Sequence, residues 1–213
     1  MSRRGQRLCA AAILLLCATL CQAAPDFAAE RASDDARYAA AQALDAGDAQ
    51  GRPFAIVDKR DARIYVFDAS GRLAGASPVL LGLAAGDADT ADIAQRTPAS
   101  LAPLERATPA GRFESQPGHN DKGEAIVWVD YDASLAIHRL RPAPLQEHRA
   151  ERLASPSADD NRISRGCIVV PVAFYDSVVG PTLGSRRGVV YVLPETRPVQ
   201  ALLEALDLAL LTR

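Results

Sequence analysis

Short runs of hydrophobic residues, separated by turn-forming polar clusters, make up most of the chain from residue 53 onward. Short runs rich in Val, Ile, Phe and Tyr are typical of β-strands, whereas a helix needs a longer stretch with a period of about 3.6 residues. The predicted strands are 54–57, 63–67, 78–82, 125–129, 135–138 and 188–193, and regular structure also resumes at 108–113. The first three strands, joined by short turns, predict an antiparallel meander.

Helical patterns are shorter and surround this strand-rich body. Tyr38, Ala41 and Leu44 recur near helical spacing before Gly47, and they predict one short, mostly solvated helix. Pro171 suits the first turn of a helix that extends to residue 179. Further helices are predicted at 145–153, inside a long Arg-rich connection, and at 199–210, whereas 86–103 is predicted to be a loop with at most a short helix.

These patterns predict a single domain that is mostly β with flanking helices. A length of 213 residues suits one domain, and the hydrophobic share of 48% and charged share of 23% are those of an ordinary globular protein. We divide the chain into a targeting segment (1–24), an N-terminal helix or linker (25–52), the main domain (53–194) and a C-terminal helix (195–213). The formal net charge of −2 gives no reason to expect a nucleic-acid partner.

The first 24 residues are typical of a signal peptide. Three arginines precede an apolar run of about 13 residues, too short to span a bilayer, and small residues close the segment. Cleavage after Ala23 or Ala24, and export to the periplasm, are therefore expected. A twin-arginine signal fits less well because no apolar residues follow the arginine pair. A lipoprotein fits less well because the bulky Leu20 precedes Cys21.

Cys167 is predicted to be the single cysteine of the mature chain, because Cys9, Cys17 and Cys21 fall within the signal peptide. No intramolecular disulfide can then form. An unpaired thiol in an oxidising compartment is either buried as a small hydrophobic side chain or used chemically. The cysteine count alone leaves both interpretations open.

The segment 162–168, with the sequence RISRGCI, favours the chemical interpretation. It places Cys167 after a glycine-containing turn and shortly before the helix predicted from Pro171, where a helix N-terminus can lower a thiol pKa. Arg162 and Arg165 add positive charge that stabilises a thiolate, the nucleophilic form of cysteine. Without the cysteine, the same arginines would indicate only a solvated loop.

A cysteine nucleophile needs a base, and His119, His138 and His148 are the candidates. His138 closes the predicted strand 135–138, where a rigid strand end can hold a side chain in a cleft. His148 is nearer to Cys167 in sequence, but it lies in a polar run that predicts the solvated face of a helix. A lone histidine at a strand end is more often a packed or surface residue, and the coincidence with Cys167 and Gly166 favours His138 as the base.

Three features, in this order, resemble the catalytic domain of L,D-transpeptidases, also called the YkuD type. They are the stretch 108–113 (TPAGRF), the strand end at His138 and the turn 164–168 (SRGCI). The resemblance covers residues 53–194 and implies a mixed β-sheet sandwich as the fold. It also implies a two-step acyl transfer on peptidoglycan stem peptides, a reaction that requires no metal or organic cofactor.

Carried over position by position, the resemblance makes Cys167 the nucleophile and His138 the base that activates it. Gly166 becomes part of the backbone turn around the oxyanion site, and Ser164 matches the serine of the motif. A glycine before the cysteine and a serine three residues before it are the best-matched parts of the pattern.

The sequence departs from the family pattern at three positions. Arg165 stands in the place of a second histidine, Arg139 in the place of a glycine, and Val169 where Asn or Arg is common. The separation of 29 residues between His138 and Cys167 is also longer than usual and predicts an insertion over the mouth of the site. A branch with the pattern Arg-Ile-Ser-x-Gly-Cys-Ile-Asn-Val-Pro is the most similar and tolerates replacement of the second histidine, so Val169 bears on specificity more than on activity.

The implied partners are peptidoglycan stem peptides, with no membrane insertion after signal removal. Arg139, Arg162 and Arg165, together with Arg141, are candidates to bind the carboxylates of diaminopimelate-type peptides, although surface arginines also serve solubility. Two alternatives remain open. The first is an L,D-carboxypeptidase, in which water resolves the same acyl-enzyme, and the second is a catalytically impaired domain that only binds cell wall.

Overall fold

The computed structural model describes residues 25–88, 96 and 100–204. The predicted signal peptide lies outside these residues, as does the second half of the predicted helix 199–210. Within the described ranges, no helix is both long and apolar enough to cross a membrane.

Ten β-strands form within the described part of the chain. They are β1 (Phe54–Asp58), β2 (Arg63–Phe67), β3 (Leu73–Pro78), β4 (Leu81–Gly82), β5 (Gly111–His119), β6 (Ala125–Asp130), β7 (Leu135–Arg139), β8 (Arg162–Ser164), β9 (Ile168–Val170) and β10 (Gly188–Val192). The α-helices are α1 (Asp34–Asp45), α2 (Arg149–Ala154) and α3 (Val172–Phe174), the last continuing as a π-helical turn over Tyr175–Val179. A final helix begins at Val199.

Eight of these strands form one mixed sheet in the order β3-β2-β1-β10-β5-β6-β7-β9. The β1–β10 and β7–β9 pairs are parallel, and the other neighbours are antiparallel. The remaining strands, β4 and β8, pair with each other in parallel. The prediction of a mostly β fold with a mixed sheet is confirmed, and so is the meander of β1, β2 and β3.

The long strand β5 joins the two halves of the sheet. Its first five residues pair with β10, and its last four pair with β6. Side chains from both halves share one hydrophobic core, which includes Val57, Val66 and Val192 from one half and Val127, Ile137 and Val170 from the other. The two halves therefore enclose a common core, as expected for a sandwich.

The N-terminal helix α1 is more buried than its sequence predicts. Ser33 caps its first turn by accepting a hydrogen bond from the Ala36 N–H. An alanine stripe packs against the outer face of β1 and β2 and consists of Ala36, Ala39, Ala40 and Ala43. The prediction of a mostly solvated helix is wrong in this respect, because small alanines allow the helix backbone to approach the sheet closely.

The predicted strand 78–82 is also wrong in its boundaries. The third strand of the meander occupies Leu73–Pro78, and only Leu81–Gly82 of the predicted run is a strand. Leu80, between them, exchanges backbone hydrogen bonds with Val169 beside the site described below. The apolar run is therefore a connection between the meander and the segment around Val169.

A buried ionic cluster surrounds Lys59, the residue that follows β1. The Lys59 side chain is fully buried, and its Nζ donates to the carbonyl of Thr108 at 2.8 Å and to Asp87 Oδ1 at 2.9 Å. Glu195 lies 3.3 Å from the same Nζ and also forms an ion pair with Arg162. Because every charge here has a partner, the cluster holds distant segments together without an unpaired buried charge.

Candidate active site

Cys167 lies between β8 and β9 and is the free cysteine of the described residues. It lines a cavity of about 380 Å³ together with Ser164, Arg165, Gly166 and His138. The structure therefore brings five of the seven sequence-predicted site residues to one cavity.

The turn before Cys167 is held by side-chain hydrogen bonds. Ser164 Oγ accepts from the Gly166 N–H at 3.1 Å and donates to the Cys167 carbonyl at 2.7 Å. The hydroxyl of the fully buried Thr108 donates to the Gly166 carbonyl at 2.8 Å and accepts from the Gly82 N–H at 2.9 Å. The Thr108 carbonyl in turn accepts from Lys59, so the ionic cluster supports the turn.

Gly166 is required in this turn for two reasons. Its φ of +126° is a conformation that residues with side chains rarely adopt. A Cβ atom at this position would also lie 3.0 Å from the Ala107 carbonyl oxygen. The glycine of the motif thus has a backbone role, and its N–H is already occupied by Ser164.

The surroundings of the thiol differ from those predicted by the sequence. Cys167 is followed by strand β9, and the helix predicted from Pro171 begins at Val172, after that strand. Burial raises the pKa of the Cys167 thiol, and the Ala136 N–H and the charges of Arg141 and Arg165 offset only part of this effect. Burial thus opposes the expected lowering of the thiol pKa.

His138 is a buried, neutral side chain on β7. Burial lowers its pKa to about 4, well below the ordinary value for histidine. Its Nδ1 lies 2.7 Å from the Arg139 carbonyl oxygen, which can only accept a hydrogen bond. Nδ1 therefore carries the proton of the neutral ring, and Nε2 keeps the lone pair that a base needs.

Strand pairing brings His138 and Cys167 to the same cavity. In the parallel β7–β9 pair, His138 lies opposite Val169 and Ile137 lies opposite Ile168. Cys167 directly precedes β9, its thiol lies near the Ala136 N–H, and it lines the same cavity as His138. Ile137 and Ile168 project to the opposite face, into the core.

The thiol and the imidazole are not hydrogen-bonded to each other in this structure. Cys167 Sγ donates to the Ser134 carbonyl at 3.5 Å, and no hydrogen bond between Sγ and the His138 ring is present among the described residues. The thiol and the ring line the same cavity from adjacent strands. Such separations are common in free enzymes and shorten when substrate binds.

The cavity wall is rich in arginine. Its charged lining consists of Arg96, Arg141, Arg149, Arg165 and Glu147. Arg96 pairs with Glu105 at 2.6 Å, Arg141 pairs with Glu124 at 2.7 Å, and Arg149 pairs with Glu147. Arg165 is exposed and forms no ion pair among the described residues, so its charge is the one in the wall that favours an anionic ligand.

Two of the predicted substrate-binding arginines lie outside the cavity lining. Arg139 stacks over the Tyr175 ring at 4.0 Å and pairs with Asp176 at 2.6 Å. Arg162 pairs with Glu195 and donates to the Lys59 carbonyl. Both guanidinium groups are used within the fold, and of the three predicted arginines only Arg165 lines the cavity.

Sequence reasoning missed several wall residues but predicted the origin of one wall. The long connection between β7 and β8 supplies Pro142, Ala143, Pro144, Glu147 and Arg149 to the lining, as expected for an insertion at the mouth of the site. Arg96, Leu101, Ala107 and Pro109 come from the segment before β5 and were not predicted. In this region, the stretch 108–113 (TPAGRF) is the part of the sequence that indicates a contribution to the site.

The competing histidines lie outside the cavity. His148 caps α2 with its side chain 67% exposed, 3.9 Å from Glu151. His119 is exposed at the end of β5. Neither residue contributes to the cavity lining, which leaves His138 as the histidine beside Cys167.

Comparison with known proteins gives matches at the level of structure only. No protein-family model and no curated protein matches the chain. The helical cell shape determining protein Pgp2 from Campylobacter jejuni is 16% identical over 69% of this chain and 49% of that chain, with a TM-score of 0.42. An L,D-transpeptidase from Enterococcus faecium is 16% identical over 67% of this chain and 50% of that chain, with a TM-score of 0.37. An L,D-transpeptidase from Mycobacterium smegmatis is 14% identical over 66% of this chain and 58% of that chain, also with a TM-score of 0.37.

The L,D-transpeptidases that the sequence resembles are thus among the structures similar to this chain. The chain spans about half the length of the first of these proteins.

Proposed function

We propose that this protein is an exported cysteine acyltransferase of the L,D-transpeptidase kind, which acts on peptidoglycan stem peptides through an acyl-enzyme on Cys167. The observation that carries the proposal is that Cys167 and His138 line the same cavity, whose wall also contains arginine side chains. A nucleophile, a neutral base and a wall that attracts anions are the parts that this acyl transfer needs.

In the first step, Sγ attacks the carbonyl carbon of the peptide bond before a terminal D-amino acid. His138 Nε2 takes the thiol proton, the C–N bond breaks, and the proton passes from His138 to the leaving amine. A thioester on Cys167 remains. Because the thiol pKa is raised, little thiolate exists at neutral pH, and proton removal by His138 is needed for attack.

The oxyanion that forms during attack needs backbone donors. The Gly166 N–H donates to Ser164 Oγ, so we assign the donor role to the Cys167 N–H, with Gly166 providing the turn around it. Removing one such donor typically costs about 2.7–4 kcal/mol of transition-state stabilisation. This assignment keeps Gly166 in the role that the resemblance implies, as part of the backbone turn around the oxyanion site.

In the second step, an amine from another stem peptide attacks the thioester. The attacking nitrogen loses a proton to His138, the C–S bond breaks, and Sγ recovers the proton as a new amide forms. Arg165, which lines the cavity and has no ion pair among the described residues, is the wall residue we propose to bind a substrate carboxylate. Arginine suits this role because its planar guanidinium binds a carboxylate through two hydrogen bonds.

The decisive experiment is mass spectrometry of the intact mature protein after exposure to a carbapenem, an inhibitor class that the family resemblance suggests. We expect one covalent adduct, on Cys167, and none in Cys167→Ala. A thiol that reacts with iodoacetamide but forms no carbapenem adduct would indicate a cell-wall-binding domain without acyl transfer.

Product analysis separates the two enzymatic alternatives. A stem tetrapeptide is incubated with and without an amine acceptor, and we expect a cross-linked product only when the acceptor is present. Hydrolysis to the tripeptide that is unaffected by the acceptor would instead identify an L,D-carboxypeptidase.

Export is proposed from the N-terminal sequence pattern. Protein isolated from the periplasmic fraction should begin at Ala24 or Pro25. A chain that retains its first 24 residues in the cytoplasmic fraction would contradict this part of the proposal.

A further inference from the structure

An exposed aromatic pair lies beside the candidate active site. Trp128, on β6, and Tyr131, in the turn that follows, have ring centroids 5.1 Å apart and planes at 73°. Tyr131 is 66% exposed, and Trp128 is half-buried. The two rings therefore form an open corner of two nearly perpendicular aromatic surfaces.

The position of the indole ring is fixed by a glycine on the neighbouring strand. A Cβ atom at Gly118 would lie 2.4 Å from Trp128 Cδ1 and 2.5 Å from Nε1, so the ring lies directly over the glycine backbone. Diagonal neighbours across an antiparallel pair are within reach of an aromatic side chain. One part of the ring is thus supported by the sheet, and the remainder is accessible.

The pair belongs to the same face of the sheet as His138. Trp128 lies opposite Ala136, whose N–H contacts the Cys167 thiol. Cross-strand partners project to the same side, so Trp128, Ala136 and His138 share a face. The turn that carries Tyr131 continues into Ala133 and Ser134, which line the cavity.

Polar planar groups flank the aromatic corner. Gln116 lies opposite Trp128 on β5, and its Oε1 accepts a hydrogen bond from Arg187 at 3.4 Å. Aromatic surfaces next to amide and guanidinium groups suit a ligand that is apolar on its faces and polar at its rim. A pyranose ring has this character, because its axial C–H groups are attracted to the negative face of an aromatic ring while its hydroxyls hydrogen-bond around it.

We propose that Trp128 and Tyr131 form a sugar-binding subsite that takes a pyranose ring of the glycan to which the acyl-donor peptide is attached. Trp128 and Cys167 are two strand spacings apart, about 10 Å. About three extended residues cover this distance, which matches the length of stem peptide between the sugar and the carbonyl attacked. The inference rests on the proposed function and specifies its donor as a glycan-linked peptide rather than a free one.

The test uses the intrinsic fluorescence of Trp128, which is the single tryptophan of the chain. Mature Cys167→Ala protein is titrated with a disaccharide tetrapeptide and, separately, with the free tetrapeptide. We expect the disaccharide form to change the fluorescence and to bind at least about tenfold more tightly. Equal affinity for the two ligands would overturn the inference.

Tyr131→Ala supplies the discriminating variant, since an exposed side chain in a turn can be removed without disturbing the core. It should reduce the affinity difference between the two ligands to about twofold or less, while carbapenem acylation in an otherwise wild-type chain stays unchanged. Tyr38→Ala, on the exposed side of α1, is the matched control and should keep the full difference. If Tyr131→Ala behaves like Tyr38→Ala, the subsite does not exist.

The outcomes of this test remain distinct from those of the proposed function. Sugar-dependent fluorescence changes in a protein that neither turns over peptide nor forms an adduct would support the subsite and contradict acyl transfer. Acyl transfer with equal rates on glycan-linked and free peptides would support the function and contradict the subsite.

Discussion

The pH dependence of acylation is the most direct test of the protonation states in this site. Burial lowers the pKa of His138 to about 4, compared with about 6.5 for an unperturbed histidine. This lowering of the pKa corresponds to about 3 kcal/mol in favour of the neutral ring. His138 should therefore be available as a base throughout the neutral range, and its loss should appear only near pH 4.

The protonation state of the Cys167 thiol also determines the pH profile of acylation. Its raised pKa keeps Cys167 protonated at neutral pH, so the reacting state is a neutral thiol beside a neutral imidazole and not a preformed ion pair. We expect the second-order rate of carbapenem acylation to rise with a midpoint near pH 4 and to stay nearly flat from about pH 5 to 8. Removal of the base in His138→Gln should lower this plateau by about two orders of magnitude.

Stopped-flow absorbance, with the adduct verified by mass spectrometry, measures this rate from pH 4 to 9. Circular dichroism at each pH establishes that the protein is folded. In His138→Gln the remaining rate should increase about tenfold per pH unit, because only thiolate can then react. An acid limb with its midpoint near 6.5 in the wild type, or a flat profile in His138→Gln, would refute the reasoning.

Four further predictions concern single side chains. Cys167→Ala should unfold at nearly the same denaturant concentration as the wild type but show no peptide turnover by chromatography. His148→Gln should change the acylation rate several-fold at most in the stopped-flow assay, because that side chain is exposed outside the cavity. The unfolding free energy of the wild type should fall by up to about 3 kcal/mol between pH 6.5 and 4, because His138 binds a proton more readily in the unfolded chain than in the folded one. Urea titrations at each pH measure this loss, and His138→Gln should remove it. Lys59→Met should lower that free energy by about 3–5 kcal/mol at pH 7, because Asp87 loses its ion-pair partner while Glu195 keeps Arg162. Lys122→Met, at an exposed position, should change it by less than about 0.5 kcal/mol.

The strands could be predicted from the sequence wherever β-branched and aromatic residues cluster. β1, β2, β6, β7 and β10 all contain such runs, and the structure forms them within one residue of the predicted bounds. β3 was missed because Leu73–Pro78 consists mainly of small residues, which lack a strand-like alternation. It forms as an edge strand because β2 offers a partner along its whole length.

Local sequence patterns predict neither the burial of α1 nor the long-range ion pairs of Lys59. Alanine counts only weakly in a hydrophobic period, so the buried stripe of α1 was overlooked in favour of Tyr38, which is exposed. Lys59 lies in a charged turn that resembles a solvated loop. Its partners Asp87 and Glu195 are distant in sequence, and only the tertiary fold shows that they meet.

The position of Arg139 follows from strand geometry. Side chains alternate along a strand, so Arg139, the last residue of β7, points away from the face that carries His138. The cavity arginines Arg96 and Arg149 are different, because they come from irregular connections whose path no periodicity indicates.

The site depends on positioning more than on charge. An ion-pair cysteine enzyme lowers its thiol pKa, whereas here burial raises the pKa of Cys167 and lowers that of His138, which favours the uncharged form of both groups. The turn before Cys167 is held by two hydrogen bonds to Gly166. The Thr108 hydroxyl donates to the Gly166 carbonyl, and Ser164 Oγ accepts from the Gly166 N–H. Since a neutral thiol reacts only when a base and an electrophile are held within reach at once, a rigid turn and a rigid strand end are the features that such a mechanism requires.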